Sequence, residues 1–272
     1  MEIEITEEDL AVILNDVLDI HGYDFTSYAR ASLTRRINRL IMLDKFPSVA
    51  EFRYKIRSDE FYLKRFVEEI TVNVTEMFRD PQFYKVLREE VIPTIATKPF
   101  IRIWHAGCAS GEEVYSMAIL MHQANLLHKT LIYATDINPD VIDTAQRGIY
   151  PSAILPLSQE NYLQTGGHGD LNGYYTAKYD HIIFNEELRK KIIFATHNLV
   201  SDSSFNEFQL ILCRNVLIYF DKNLQNKVFH LFDQSLEDLG YLALGAKETL
   251  KFSGISSKYR QLGKERIWSK IK

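Results

Sequence analysis

Residues 101–116, with the sequence IRIWHAGCASGEEVYS, constrain the fold more than any other stretch of this 272-residue chain. The apolar run predicts a buried strand, the small residues predict a turn, and the residues after the turn predict the start of a helix. Gly107 and Gly111 have no Cβ, so a ligand can approach the backbone of this turn closely. The stretch therefore predicts a ligand site where the strand ends.

Two carboxylates at the start of the predicted helix restrict the kind of ligand. A helix N-terminus normally favours phosphate, but Glu112 and Glu113 would repel a pyrophosphate. A ligand with a cationic head and hydroxyl groups fits better. S-adenosylmethionine has this chemistry, because it carries a sulfonium, an ammonium and a ribose diol.

The chain from residue 100 onward alternates between short apolar strands and helical stretches, which predicts an α/β fold with a mostly parallel sheet and helices on both faces. The predicted strands are FIRIWH, LIYATD, IIFATHN, FQLILCRNVLIY and YLALGA, and the predicted helices cover 112–126, 139–146 and 223–239. The tail predicts a turn and a final strand at the sheet edge. Residues 150–190, rich in glycine and tyrosine, predict an inserted β-subdomain.

The first 72 residues show helical periodicity throughout and no strand signal, so we expect a small all-α domain at 1–72 before a ligand-binding domain at 73–272. One helix is predicted over 27–43. Asp80-Pro81 predicts a helix start with Asp80 as the N-cap, because the residue before proline avoids the α region.

Polar residues follow each predicted parallel strand, and ligands of open parallel sheets bind at these carboxyl ends. The first strand is followed by the glycine turn, and the second ends at Asp136, placed to bind a ribose diol. The other two are followed by Asn198-Leu199 and by Arg214-Asn215. For Asp136 alone, a cap of the next helix is an equally good interpretation. Four such ends together favour a ligand site.

The net charge of −4 conceals a basic region: residues 27–57 contain eight Lys/Arg and two acidic residues. Such a region indicates a negatively charged partner, although a solvated helix face explains it equally well. We see no signal peptide and no membrane helix, and the two cysteines suit a reducing compartment, so a cytoplasmic protein is expected. His105 and Cys108 have no second Cys/His pair, so no metal site is expected.

Six segments, in this order, resemble the chemotaxis receptor methyltransferase (CheR) family: VNVTEMFRD, CASGEEVYS, ATDIN, NL, CRNVLIYFDK and GAKE. The resemblance implies a Rossmann-like sheet that binds S-adenosylmethionine. It also implies transfer of the methyl group to glutamates of chemoreceptors, with S-adenosylhomocysteine as product. The implied partner is the receptor's cytoplasmic helical bundle, without nucleic acid or membrane insertion, and the protein is expected to be a monomer. Two alternatives remain. The protein could methylate another protein or a small molecule, or it could be a non-catalytic module that binds the cofactor.

The resemblance also implies roles for individual residues. Arg79 and Tyr219 would shape the reacting centre. The simpler interpretations are that Arg79 is a surface charge and that Tyr219 is a core aromatic. The basic helix at Arg35, Arg36 and Arg39 would face the receptor. The implied cofactor-binding residues are Asn73, Thr75, Arg79, Gly107, Glu113, Asp136, Asn198, Leu199, Arg214 and Asn215.

Two positions depart from the family's usual pattern. Val114 stands where proline is usual, and Gly245-Ala-Lys-Glu248 stands for Gly-His-Ser-Glu. We interpret the second position as peripheral to the cofactor site.

Overall fold

The computed structural model describes residues 4–71 and 75–271, which form two compact units. The first unit comprises the described residues within Met1–Asn73 together with Leu217–Lys227. The second comprises those within Val74–Val216 together with Val228–Lys272. The first unit is helical, and the second contains both sheets.

Three helix starts in the first unit are capped by side chains, whereas the helix that begins at Arg30 has none. Thr6 and Asp9 form a capping box, and Ser48 and Asp59 each accept a hydrogen bond from the backbone of the helix that follows. The helices are α1 Glu7–His21, α2 Arg30–Leu43, α3 Val49–Ser58 and α4 Glu60–Ile70. The prediction that α2 starts at residue 27 is wrong by three residues, because Tyr28 forms a β-bridge with Phe220 instead.

The second unit alternates strands and helices along the chain. Its strands are β1 Ile101–Ala106, β2 Thr130–Asp136, β3 Ile149–Pro151, β4 Tyr175–Lys178, β5 His181–Phe184, β6 Ile192–Thr196, β7 Phe208–Cys213, β8 Leu236–Leu244, β9 Tyr259–Gln261 and β10 Ile267–Lys270. The remaining helices are α5 Pro81–Val86, α6 Ile92–Ile95, α7 Glu112–Gln123, α8 Pro139–Arg147, α9 Leu155–Gln164, α10 Glu186–Arg189 and α11 Lys222–Ser235. A π-helical turn, Leu87–Val91, joins α5 to α6.

Seven strands form one sheet in the order β6-β2-β1-β7-β8-β10-β9. The pairs from β6 to β8 are parallel, and β10 is antiparallel to both neighbours. The predicted mostly parallel α/β sheet is confirmed. Since parallel strands end at one edge, the residues after β1, β2, β6 and β7 lie along the same edge of the sheet.

The segment between β2 and β6 contains a separate three-stranded sheet in the order β3-β5-β4. This confirms the inserted β-subdomain, although the insertion also contains α9, which the glycine and tyrosine content did not indicate. Tyr162 of α9 is fully buried against the core of the second unit, so the insertion is packed onto that unit.

Two predictions near the C-terminus are wrong. The last strand, β10, lies between β8 and β9, because the β9–β10 hairpin adds its second strand to β8. Helix α11 ends at Ser235 rather than at residue 239, since Leu236 already pairs with Phe208 as the start of β8.

Candidate functional site

The turn after β1 is a close-fitting backbone cradle. Gly107 and Gly111 have φ of 81° and 94°, which an L side chain rarely adopts. A Cβ on Gly107 would lie 2.4 Å from Val216 Cγ2, and one on Gly111 would lie 2.7 Å from Ala145 Cβ. Glycine is therefore required at both positions by the backbone and by the packing.

Asp136, the last residue of β2, faces this turn. Its two carboxylate oxygens accept hydrogen bonds from the backbone N–H of Ala109 at 2.9 Å and of Asn138 at 3.0 Å. The cap of α8 is Asn138, whose side chain accepts from Asp140 N. Each Asp136 oxygen keeps a second lone pair, so the held carboxylate can still accept from a diol. Burial raises the pKa of Asp136, and the backbone N–H groups of Asn138, Ala109 and Ile137 limit the rise.

Glu113 is held between two donors. His105 Nδ1 lies 3.0 Å from its Oε1, and Arg214 Nη1 donates to its Oε2 at 2.9 Å. Burial alone would raise the pKa of Glu113. The hydrogen bond from His105 and the charge of Arg214 outweigh burial and lower this pKa to about 2. Glu113 is therefore ionised at neutral pH.

Arg214 connects three parts of the second unit. Its side chain is only 2% exposed and also forms an ion pair with Asp80. Its guanidinium lies 4.1 Å from the centroid of the Phe83 ring in α5, a cation–π contact. The predicted helix start is confirmed, since Asp80 is the N-cap of α5 and Pro81 its first residue. Asp80 has a φ of 60° and makes no side-chain cap bond, because its carboxylate binds Arg214.

Hydrogen bonds to backbone atoms hold the segment before α5 in place. Phe78 N donates to Ser116 Oγ at 3.0 Å, Asn161 Nδ2 of the insertion donates to Met77 O at 3.1 Å, and Arg214 reaches Arg79 O at 3.3 Å. Thr75 and Arg79 are both half-buried. Asn73, the third residue that the sequence predicts in this segment, lies outside the described residues.

The residues after β6 lie next to Asp136. His197 N donates to Asp136 O at 3.0 Å. Asn198 forms a tight turn in which its Oδ1 accepts from Val200 N and its N–H donates to Asp202, and Leu199 is buried. The turn after β6 thus lies against the backbone end of β2 and carries a buried apolar side chain, that of Leu199.

Asn215, after β7, has a φ of 59°. The backbone N–H groups of Asn215 and Val216 donate to the carboxylate of Glu248 at 3.0 and 2.9 Å. Glu248 therefore contacts the predicted cofactor loop, and the interpretation that its segment is peripheral is wrong.

The other predicted residues lie in the first unit. Arg36 of α2 places its guanidinium 5.5 Å from the centroid of the Tyr219 ring and donates to Glu69 O at 3.0 Å. Arg39 forms an ion pair with Glu69 at 3.2 Å. Within the described residues the exposed Arg35 has no ion pair or hydrogen bond. The structure thus brings Tyr219 together with the basic helix.

Three residues of the second-unit site were missed from the sequence: His105, Asp80 and Glu248. A polar residue inside the apolar strand β1 was the available signal for His105. The contacts of the other two span 134 and 33 residues of sequence, and no local pattern reports such contacts.

The acidic character of the edge decides which cofactor fits. Residues 79–80, 107–113, 136 and 214–215 contain four carboxylates and two guanidinium groups. The excess of negative charge and the close-fitting backbone favour a compact cation with hydroxyl groups. In the described part of the chain no group of three His, Cys, Asp or Glu side chains could hold a metal ion. No helix there is long and apolar enough to cross a membrane.

Comparison with known families agrees with this chemistry. The model "CheR methyltransferase, SAM binding domain" matches residues 73–266, and "CheR methyltransferase, all-alpha domain" matches residues 8–71. The chain belongs to the CheR methyltransferase family. It is accordingly a methyltransferase that depends on S-adenosylmethionine.

Relatives of known name match nearly the whole chain. "Putative methyltransferase Cher3" of Pseudomonas putida is 41% identical over 97% of this chain and 97% of its own length. "Chemotaxis protein methyltransferase" of Listeria innocua is 33% identical over 84% of this chain and 85% of its own length. The protein of the same name from Borreliella burgdorferi is 29% identical over 92% and 91%.

Proposed function

We propose that this protein transfers the methyl group of S-adenosylmethionine to glutamate side chains on the cytoplasmic helices of a chemoreceptor, forming glutamate methyl esters. The observation that carries the proposal is the glycine turn after β1, which Asp136 binds and which leads into the ionised Glu113 of α7, in a chain matched by both CheR models. The relatives named chemotaxis protein methyltransferases support the choice of a receptor.

The residues at the sheet edge fit the cofactor. Asp136 would accept from the ribose hydroxyls, Leu199 and Asn198 would flank the adenine, and Glu113 would attract the cationic methionine end. The remaining proposed contacts come from Asn73, Thr75, Arg79, Gly107, Arg214 and Asn215.

The reaction requires orientation rather than a strong base. The bound cofactor supplies an electrophilic sulfonium methyl group. A substrate glutamate, with a pKa of about 4.3, is already a carboxylate at neutral pH, so no protein group has to remove a proton. Alignment of the two groups and exclusion of water can lower the barrier by about 7–11 kcal/mol in favourable cases.

Two side chains are proposed to provide this alignment. The backbone around Arg79 is fixed by the contacts of Phe78 and Arg214, which suits a side chain that orients a carboxylate. Tyr219 is half-buried and lies beside Arg36, and we assign it to the geometry of the methyl donor. Both assignments rest on the family's pattern.

The receptor is proposed to dock on α2. Arg35 is exposed and unpaired among the described residues, whereas Arg36 and Arg39 are already bonded to Glu69. Arg35 is therefore the charge most available to an acidic helical surface. We further propose that the protein acts in the cytoplasm as a monomer, and that it neither binds nucleic acid nor enters the membrane.

The test is transfer of labelled methyl from S-adenosylmethionine to a chemoreceptor cytoplasmic fragment, followed by release of the label in alkali. We expect base-labile label that disappears when the receptor glutamates are replaced by glutamine. Label that persists on the glutamine form, or no transfer by protein that binds S-adenosylhomocysteine, would contradict the receptor as substrate. Those results would favour another substrate or a cofactor-sensing role.

A further inference from the structure

Glu248 is a buried carboxylate that accepts three backbone hydrogen bonds. It is 5% exposed, and it lies in the turn after β8. Gly245 N donates to its Oε2 at 2.6 Å, Asn215 N donates to the same oxygen at 3.0 Å, and Val216 N donates to Oε1 at 2.9 Å. Hydrogen bonds to a charged acceptor are about twice as strong as neutral ones.

These bonds hold the backbone of the turn after β7. Asn215 has a φ of 59°, in the left-handed region that non-glycine residues seldom adopt. Val216, the next residue, places Cγ2 where a Cβ on Gly107 would be. Glu248 thus holds the loop after β7 against the glycine cradle.

The sheet itself does not need Glu248 at this point. Strands β7 and β8 already pair through Cys213 and Leu244, immediately before the two turns. The bonds of Glu248 lie beyond the last paired residues, where they order the loop that carries Arg214 and Asn215. Arg214 in turn holds Glu113 at 2.9 Å.

We propose that Glu248 is a positioning residue for the cofactor: it fixes Asn215 and Val216, and through them the geometry of the cradle and of the Arg214–Glu113 pair. The proposal deepens the proposed function, since it rests on the assignment of this loop to the cofactor. It does not depend on which substrate receives the methyl group.

The first experiment compares Glu248→Gln with Asp233→Asn in the full-length chain. Asp233 is a matched control, because it is also a buried carboxylate of the second unit, and its partners Lys258, Tyr259 and Lys270 carry no proposed cofactor contact. Affinity for S-adenosylhomocysteine is measured by calorimetry without any receptor, and Tm is measured in parallel.

We expect Glu248→Gln to weaken S-adenosylhomocysteine binding about tenfold or more, since a charged acceptor is lost from the loop. Asp233→Asn should lower Tm but keep the wild-type affinity. Glu248→Gln with wild-type affinity would overturn the proposal. So would an equal loss of affinity in both variants, because that would indicate a general effect of destabilisation.

A second variant keeps the carboxylate and disturbs the same contacts. A Cβ on Gly245 would lie 2.8 Å from both Asn215 N and Glu248 Oε2, so Gly245→Ala should weaken S-adenosylhomocysteine binding as well. Unchanged affinity in folded Gly245→Ala would count against the proposal even if Glu248→Gln failed to fold. Wild-type protein that binds S-adenosylhomocysteine but methylates no receptor would refute the receptor substrate and leave this inference standing.

Discussion

Replacing Arg214 by methionine should destabilise the second unit through the charge it leaves behind. The side chain of Arg214 is buried, and its loss removes the ion pair of Glu113. The carboxylate of Glu113 then keeps its hydrogen bond with His105. Methionine keeps an apolar chain of similar length over the Phe83 ring, so the change removes charge more than volume.

The magnitude follows from the pKa of Glu113. A fall from the ordinary value of 4.5 to about 2 corresponds to about 3–4 kcal/mol of stabilisation at neutral pH, at ~1.4 kcal/mol per pKa unit, and His105 and Arg214 each supply part of it. Removing one partner of a buried ion pair costs roughly 3–5 kcal/mol. We therefore expect Arg214→Met to lower the free energy of unfolding by about 3 kcal/mol and Tm by about 6–12 °C.

The assay is urea unfolding followed by tryptophan fluorescence. The two tryptophans, Trp104 and Trp268, are both buried in the second unit, so their emission reports on that unit. The matched control is Arg147→Met in α8. Arg147 pairs with Asp143, but the two side chains are 68% and 57% exposed, so its loss should cost at most about 0.5 kcal/mol.

Lowering the pH should reduce the difference in the free energy of unfolding between Arg214→Met and wild type. In wild type, the stabilisation that comes from the lowered pKa of Glu113 is fully present above about pH 4.5 and is lost as the pH falls through about 2. In the variant the pKa of Glu113 rises, so the group protonates earlier and its burial becomes less costly. A loss as small as that of Arg147→Met, or one that does not change with pH, would refute the electrostatic reasoning.

Three further substitutions test the proposed roles of single residues. Asp136→Ala should weaken S-adenosylhomocysteine binding about 10–100-fold by calorimetry, whereas Asp143→Ala should not, and equal affinities would remove Asp136 from the ribose. Tyr219→Phe should lower kcat about tenfold without changing cofactor affinity, and an unchanged kcat would refute its role at the reacting centre. Arg35→Glu should slow methylation of the receptor several-fold at low salt, with a smaller effect at high salt, because exposed charges are screened within ~8–10 Å. Arg147→Glu is its control, and equal rates for the two variants would argue against α2 as the receptor surface.

The parallel sheet and the ends of its strands could be predicted because both leave local patterns. Apolar runs followed by small or polar residues mark β1, β2, β6 and β7, and topology alone then brings their ends to one edge. The glycine turn was predictable for the same reason, since the φ of Gly107 and Gly111 leaves glycine as the suitable residue. The order of these signals along the chain therefore indicates where the candidate site lies.

Contacts between distant segments could not be predicted. Asp80 precedes a proline and has the sequence of a helix cap, yet its carboxylate binds Arg214, which is 134 residues away. Glu248 occupies a segment that departs from the family's usual pattern, and its role depends on Asn215 and Val216, 33 and 32 residues earlier. In each case a donor from a distant segment, which no local pattern reports, binds the carboxylate.

If the cofactor binds at this edge as proposed, the electrostatics explain how a strand–turn–helix unit that could cradle a phosphate selects a cation instead. The N-terminus of α7 offers N–H groups that attract anions, but Glu113 lies in its first turn. His105 and Arg214 hold Glu113 in its ionised form, so a phosphate would meet a fixed negative charge at any pH near neutrality. Arg214 cannot reverse this preference, because Asp80 and Glu113 both bind it. The arginine therefore stabilises the acidic site without making it basic, and the remaining negative charge is available to a sulfonium and an ammonium group.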